Sequence, residues 1–227
     1  AFADTVGANG VQGRYNVHIG YGSGGGDHGN GLHQYNTVVG AQTMTGVCDS
    51  ANNNSIFGYA AGQNITSGDN NNIFGLNAGQ NITTGSDNVC IGTQTGDAID
   101  TNSNNTLIGN YAGSALNDDN ANGSTFVGYS AGAAITSGPE NTFIGYKAGN
   151  VSVDGERNVA IGYEAGLSLA SCHSNVFVGR EAGKTIDNAD HCIAIGRDSM
   201  NNSTDDNSQY NIAIGGNTLN SIGTNTA

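Results

Sequence analysis

The chain has 227 residues, among them 37 glycines, one proline and no tryptophan, and only 11% of residues are charged, against the roughly 25% of ordinary soluble domains. Nineteen acidic against six basic residues leave a formal net charge of −13, and up to Tyr146 the sole basic residue is Arg14. Such a chain repels nucleic acid, whose binding needs Lys and Arg to displace counterions, and it repels anionic membrane surfaces for the same reason; no apolar run approaches the ~20 residues of a membrane span.

Residues 1–15 read as an N-terminal lead-in segment. From residue 16 to residue 215 a single unit recurs, anchored on Gly20, Gly40, Gly58, Gly75, Gly92, Gly109, Gly128, Gly145, Gly162, Gly179, Gly196 and Gly215. Seven of the eleven intervals are 17 residues; the others are 20, 18, 19 and 19. Residues 216–227 form a C-terminal tail or end coil. Position −4 from the Gly is Asn in ten of the twelve copies, with Ser124 and Cys192 as the exceptions. Ala-Gly recurs three residues after the Gly, as in Ala148-Gly149 and Ala165-Gly166, and an aliphatic residue usually follows, as at Ile65, Ile82 and Leu116.

A unit this short cannot hold two helices and a turn. It is rich in β-branched residues and punctuated by Gly and Asn, which tolerate left-handed turn geometry. The expected fold is therefore all-β: a parallel β-solenoid (β-roll) of about twelve 17-residue coils, with two short strands per coil and the Asn residues stacked as a ladder. The column immediately before the Gly is large and apolar in every copy. It comprises Ile19, Val39, Phe57, Phe74, Ile91, Ile108, Val127, Ile144, Ile161, Val178, Ile195 and Ile214, and it is the expected core ladder. One position earlier the column is almost as apolar. Neighbouring strand residues face opposite ways, so Ile56, Ile73, Leu107, Phe126, Phe143 and Phe177 would form an exposed stripe. Soluble monomers rarely carry such a stripe, and these residues are the expected chain–chain interface, most simply around a threefold axis.

Several side-chain groups stand out along this frame. Tyr21, Tyr59, Tyr129, Tyr146 and Tyr163 follow the Gly in one column. They read either as a ligand surface for sugars or as packing between coils. Asp27, His28 and His33 lie in the long first interval, as metal ligands or as a glycine-rich loop. Asp118, Asn120 and Asn122 begin a calcium-loop pattern without its closing Glu; a Ca²⁺ site and a set of Asx turns are both open. Asp205, Asp206 and Asn207 sit in the other 19-residue coil. Lys147, Glu164, Glu181 and Asp198 share the column two after the Gly, which predicts stacked charges, with Arg180 and Arg197 available for diagonal pairing. Cys90 reads as a buried core thiol, while Cys172 and Cys192 are offset in register and leave a disulfide open. Eight N-x-[ST] sequons match the composition. No catalytic motif occurs, so no enzyme activity and no other cofactor are expected.

The repeat N-[VT]-[AF]-I-G-x-x-A-G, as in Asn141–Gly149 and Asn158–Gly166, resembles the head repeat of trimeric autotransporter adhesins (YadA-like) and, more closely, the repeats of phage tail-fibre proteins. The resemblance covers residues 16–215, with a longer period than is usual in the adhesins. It implies a homotrimer of parallel β-rolls, left-handed in the adhesin heads, forming an extracellular, cell-surface or virion appendage that attaches to a cell-surface glycan or receptor. Nucleic-acid binding and membrane insertion are not expected. Because neither flank reads as a capping helix, end-to-end stacking into an extracellular filament is the second reading. An ice-binding solenoid, suggested by Thr37, Thr106, Thr125 and Thr142 in one column, is the third.

Overall fold

The computed structural model describes residues 15–25, 33–169, 171–186, 189–203 and 209–222. Most of the lead-in, Asp27, His28, Asp205, Asp206, Asn207 and the end of the tail lie outside these residues. One three-residue strand stands before each anchoring Gly. In chain order they are β1 (Val17–Ile19), β2 (Thr37–Val39), β3 (Ser55–Phe57), β4 (Asn72–Phe74), β5 (Val89–Ile91), β6 (Thr106–Ile108), β7 (Thr125–Val127), β8 (Thr142–Ile144), β9 (Val159–Ile161) and β10 (Val176–Val178). There follow β11 (Thr185–Ile186), β12 (Ile193–Ile195), β13 (Asn202–Ser203), β14 (Ile212–Ile214) and β15 (Ser221–Ile222). Twelve of them form one parallel sheet in chain order, β1 to β10, then β12 and β14.

Each strand pairs with the next in the register of the repeat, for example Phe126↔Phe143 and Phe143↔Ala160. Seventeen residues therefore make one coil, and the chain is a parallel β-solenoid with eleven turns between its first and last sheet strands. The expected second strand per coil is found only at the C-terminal end, where β11, β13 and β15 form a small sheet. Elsewhere among the described residues the return path is a run of turns.

The inward and outward columns are the reverse of the sequence expectation. Ile56, Ile73, Leu107, Phe126, Phe143 and Phe177, expected at a chain–chain interface, are fully buried inside the coil. The column expected as core ladder faces outward: Phe143 is 0% exposed and Ile144 is 37% exposed. Ile19, Phe74, Ile91, Ile161, Ile195 and Ile214 are likewise exposed, while Val39, Phe57, Ile108, Val127 and Val178 are partly covered. The physical cause is strand alternation. The buried Asn at −4 and the residue at −2 lie on one side of the strand, so the residue at −1 must lie on the other. The core is completed by the small residue after the turn (Ala61, Ala148, Ala165) and the aliphatic residue beyond it (Ile65, Ile135, Leu169), all fully buried. In two coils bulk shifts between these seats, Phe143 being accompanied by Ser152 and Ala160 by Leu169, whereas the Phe126 and Phe177 coils keep Ile135 and Ile186. In the 18-residue coil Cys48 takes that seat and Val47 is pushed out to solvent.

The Asn column holds the coils together. Each backbone N–H at −4, from Asn36 to Cys192, donates to the side-chain oxygen at −4 of the preceding coil at 2.8–3.2 Å. The amide nitrogens donate forward to a turn carbonyl of the next coil, as from Asn54 to Gly68 (2.9 Å) and from Asn158 to Cys172 (2.7 Å). Ser124 keeps the acceptor role with its hydroxyl, which receives the Asn141 N–H at 3.2 Å.

A second ladder, not anticipated from the sequence, runs in the opposite sense two positions earlier. There the backbone N–H of one coil donates to the side chain of the next: Asn52 to Asp69 (2.7 Å), Asp69 to Ser86 (3.0 Å), Ser86 to Ser103 (3.0 Å), Glu156 to His173 Nδ1 (3.3 Å) and His173 to Asp190 (2.8 Å). Pro139, the only proline, occupies this column; it has no N–H and asks nothing of Glu156 above it. Between the two ladders sits a left-handed residue, such as Asn53, Asp87 or Arg157, whose N–H returns to a backbone carbonyl of the coil before.

The anchoring glycines have φ between +122° and +145°. A Cβ built on Gly145 would lie 2.3 Å from the Gly162 carbonyl oxygen, so the column admits no side chain.

Two substitutions test this architecture. Phe143→Ala should lower stability by about 3–5 kcal/mol, as for a buried aromatic. Asn158→Leu orphans the Asn175 N–H and the Cys172 carbonyl and should cost roughly 3 kcal/mol or more. Both are read from denaturant unfolding; an unchanged midpoint for Phe143→Ala would put that column outside the coil.

Candidate interaction surfaces

The outward side of the twelve-stranded sheet carries the residues at −3 and −1 of every coil. None of these 24 positions is charged. The −1 row is aliphatic apart from Phe57 and Phe74, whose rings stack at 4.8 Å with an interplanar angle of 10°. The −3 row mixes Thr, Val, Ile, Ser and Asn, with Ser55 and Asn72 beside the two phenylalanines. At strand spacing the face is roughly 55 Å long.

Tyrosines flank this face. Across the anchoring Gly, at +1, stand Tyr21, Tyr59, Tyr129, Tyr146 and Tyr163; on the other edge, at −5, stand Tyr15, Tyr35 and Tyr210, and all eight are exposed. Only Tyr111 of the nine lies in neither column. Tyr129, Tyr146 and Tyr163 stack on one another at 5.5 and 5.2 Å, nearly parallel. Their ring faces are thus mostly covered by each other, and the column presents edges and hydroxyls rather than platforms for sugars. The structure brings these three together and leaves Tyr21 and Tyr59 apart from them. Tyr15 with Tyr35, and His191 with Tyr210, repeat the stacking on the other edge.

The charged column behaves as its spacing implies. The Glu164 N–H bonds the Tyr146 carbonyl at 2.9 Å, which stacks Glu164 one coil above Lys147. The partner missed from the sequence is Lys184, three residues further along its own coil than Glu181. It bridges Glu164 (2.7 Å) and Glu181 (3.3 Å) and so relieves their mutual repulsion. Arg180 and Arg197 pair with the adjacent Glu181 and Asp198 rather than across coils. The Lys184 hydrogen bond holds Glu164 below the usual carboxylate range, and Glu164 in turn raises Lys184. The Tyr163 hydroxyl is raised by its hydrogen bond to Glu164.

Asp118 and its neighbours form turns. Asp118 accepts the Asn120 N–H at 3.0 Å within the loop, and Asn122 accepts the Ser103 N–H of the preceding coil at 2.6 Å, so these two oxygens of the calcium-loop pattern serve backbone N–H groups. Among the described residues no group of three or more His, Cys, Asp or Glu is arranged to hold a metal ion. Cys172 and Cys192 are not joined by a disulfide; both are buried, each with its sulfur near a backbone carbonyl, of Ile186 and Asp190. Burial pushes the Cys90 thiol up to about 12 and Cys48 to about 11, which keeps both protonated at neutral pH. On the turn side of the rod lie two open polar grooves. One is lined by Asn64, Asn81, Thr83, Ala98, Asp100 and Asn117, the other by Glu181, Lys184, Thr185, Asn201, Asn202 and Asn220. No described helix is long and apolar enough to cross a membrane.

No protein-family profile, curated protein or solved structure matches this chain. The fold alone defines its class: a β-solenoid repeat protein.

The Glu164–Lys184 pair predicts a pH signature. A depressed carboxylate stabilises the fold above its unfolded value and loses that contribution as pH falls through the folded one; a raised lysine loses it as pH rises through its folded value. Lys184→Met should therefore cost up to about 1 kcal/mol near neutrality. The difference from wild type should shrink below the usual carboxylate range and above the usual lysine range. Urea midpoints across pH check this, and a pH-independent difference would assign the effect to packing.

Proposed function

We propose that this chain is a segment of a non-enzymatic structural and adhesive fibre, a rod that self-associates as a homotrimer and presents a repetitive surface for attachment outside the cell. One observation carries the reading: an uncharged, largely apolar sheet face as long as the rod itself. The reasoning that a second apolar row calls for another chain applies unchanged, with the columns exchanged, so the seam is the −1 row of Ile91, Ile108, Ile144 and Ile161. A trimer turns three such faces toward one axis and closes. The polar grooves of the turn side then remain outward, where their amide, hydroxyl and carboxylate groups suit hydrogen bonding to a glycan or receptor better than the stacked tyrosine rings do.

The reading predicts that the chain sediments as a trimer at micromolar concentration. Ile144→Lys with Ile161→Lys should convert it to monomers that keep the solenoid's far-ultraviolet circular dichroism, since both side chains point away from the core. A wild type that is monomeric at that concentration overturns the reading.

A further inference from the structure

We infer that the turn-side groove between Asn64 and Asn117 is a binding site for an uncharged, hydroxyl-rich saccharide; this rests on the attachment proposed above and names its place and ligand class. The inference comes from a gap in the hydrogen bonding between coils. At +6 the backbone N–H of one coil donates to the +5 carbonyl of the next: Asn64 to Gln80 (3.1 Å), Ala115 to Ala133 (3.1 Å), Ala134 to Asn150 (3.1 Å), Val151 to Leu167 (2.8 Å) and Ser168 to Lys184 (3.0 Å). Two consecutive coils break this series. The Asp97 carbonyl accepts the side-chain amide of Asn81 at 2.7 Å, which leaves the Asn81 N–H over. The Ala98 N–H and the Ser114 carbonyl meet no backbone partner among the described residues. At +8 the same step is open. Thr83 donates to Asp100 (3.0 Å) and Asn117 to Thr136 (3.2 Å), but the Asp100 N–H does not reach Asn117. The gap adjoins the 19-residue coil, whose extra residues begin at Asn117. It also adjoins Asn102, which stands where Gly68 and Gly85 stand and whose amide donates to the Asp118 carbonyl. In the same coil the buried Oδ1 atoms of Asp97 and Asn102 have no hydrogen-bond partner, and buried polar atoms of this kind mark a place where a bound species completes the set.

The groups at the gap demand both kinds of partner. The N–H groups of Asn81, Ala98 and Asp100 need acceptors, while the Ser114 and Asn117 carbonyls and the Asp100 carboxylate need donors. An ammonium offers donors alone, and a carboxylate offers acceptors alone. An anion would also meet Asp97, Asp100, Asp118 and Asp119, in a stretch with no Lys or Arg between Arg14 and Lys147. All ion pairs of the described residues lie at Glu156 and beyond. A hydroxyl both gives and takes a hydrogen bond, and a saccharide carries a row of hydroxyls. The groove runs past four coils, from the Asn64 level to the Asn117 level, roughly 14 Å at strand spacing, which suits a short oligosaccharide laid along the rod. It lies on the turn side, away from the −1 row, and stays outward in a trimer closed on that row. The other turn-side groove lacks these features: Thr185 there donates to the Asn201 carbonyl at 3.0 Å, and Lys184 is held by two carboxylates.

Ala98→Leu provides the test, because the +6 position already holds Asn64 and Val151 in other coils; the larger side chain fills the groove and leaves the coil intact. Asp100→Ala removes the carboxylate, and Val153→Ser, on the turn side outside both grooves, is the control. The experiment screens the intact chain against immobilised oligosaccharides of three kinds: neutral hexose and N-acetylhexosamine chains, chains bearing uronic or sialic acid, and glucosamine chains. Affinity for a retained member is then measured by calorimetry, with circular dichroism and sedimentation of each variant alongside. The expected result is retention of neutral members and not of the charged ones. Ala98→Leu and Asp100→Ala should each weaken that binding by about tenfold or more, the scale of one or two lost hydrogen bonds, and Val153→Ser should leave it unchanged. A trimeric wild type that retains no neutral member, or retains charged members as well, overturns the inference and leaves self-association standing. Binding that survives Ala98→Leu unchanged leaves attachment standing and overturns this site. A monomeric wild type whose neutral binding is lost in Ala98→Leu overturns the trimer and keeps the site.

Discussion

The rest of the structure depends on the hydrogen bonds of the asparagine four residues before each anchoring glycine. A coil with only three residues of strand leaves most of its backbone polar groups in turns, and stacking those turns hides them from water. Asparagine carries an acceptor and two donors on a short side chain, so one residue serves three coils. Its oxygen takes the N–H of the coil above, and its nitrogen reaches the oxygen below and a turn carbonyl above, as at Asn54 and Asn71. Aspartate would lack the donors and bring a charge into the dry interior. Serine, at position 124, retains only the acceptor. The ladder also dictates coil length, because each asparagine must return directly above the last. The extra residues of the Gly109 coil accordingly fall around Asn117–Asn120, after Leu116 has taken its core seat and before Ala121 resumes the frame.

Left-handed backbone is the second cost of this geometry. Each coil carries four positive-φ positions, at −5, 0, +2 and +4. At 0 a Cβ would strike the backbone of the next coil, and at +4 it would strike the core ring in the phenylalanine coils, as at Gly149, 2.3 Å from Phe143; elsewhere these positions hold residues as different as Tyr35, Lys147, Glu164 and Met200. A non-glycine residue there is strained by roughly 1–2 kcal/mol. Hydrogen bonds between coils offset that strain, as when the N–H of Lys147 bonds the Tyr129 carbonyl at 2.9 Å. A single coil would not persist by itself, and stability resides in the contacts between neighbours, as in other solenoids.

The period, the parallel stacking and the asparagine ladder were legible because each is a repeated column, and a column read twelve times averages out local noise. The facing of the strand was not legible from apolarity alone, because both the −2 and the −1 columns are apolar and only one of them is buried. The parity signal was present: an inward asparagine at −4 obliges −2 to be inward as well. That places Ala160 and Ala194 inside, where bulk from Leu169 and Met200 accompanies them, and sends Ile144 out. The ladder at −6 escaped notice because its acceptors are chemically mixed. Asn52, Asp69, Ser86 and His173 share a role without sharing a residue type, and only the paths of their hydrogen bonds reveal it. Lys184 was missed for a related reason, since a long side chain reaches from its own coil to a carboxylate on the one before.

In a one-dimensional fold the core constrains only the columns that point inward. Outward columns are otherwise at liberty to vary, and those at −5 and +8 do, passing through Asn, Asp, Glu, Arg, Thr and Val. The −1 column does not: twelve large apolar residues stand in it although it contributes little to the interior of its own coil. Under the proposed self-association, the constraint on that column is a surface that repeats at the same spacing and over the same length. Another rod of the same construction meets that requirement at every level, whereas a compact globular partner would meet it over a few coils and leave the remainder exposed.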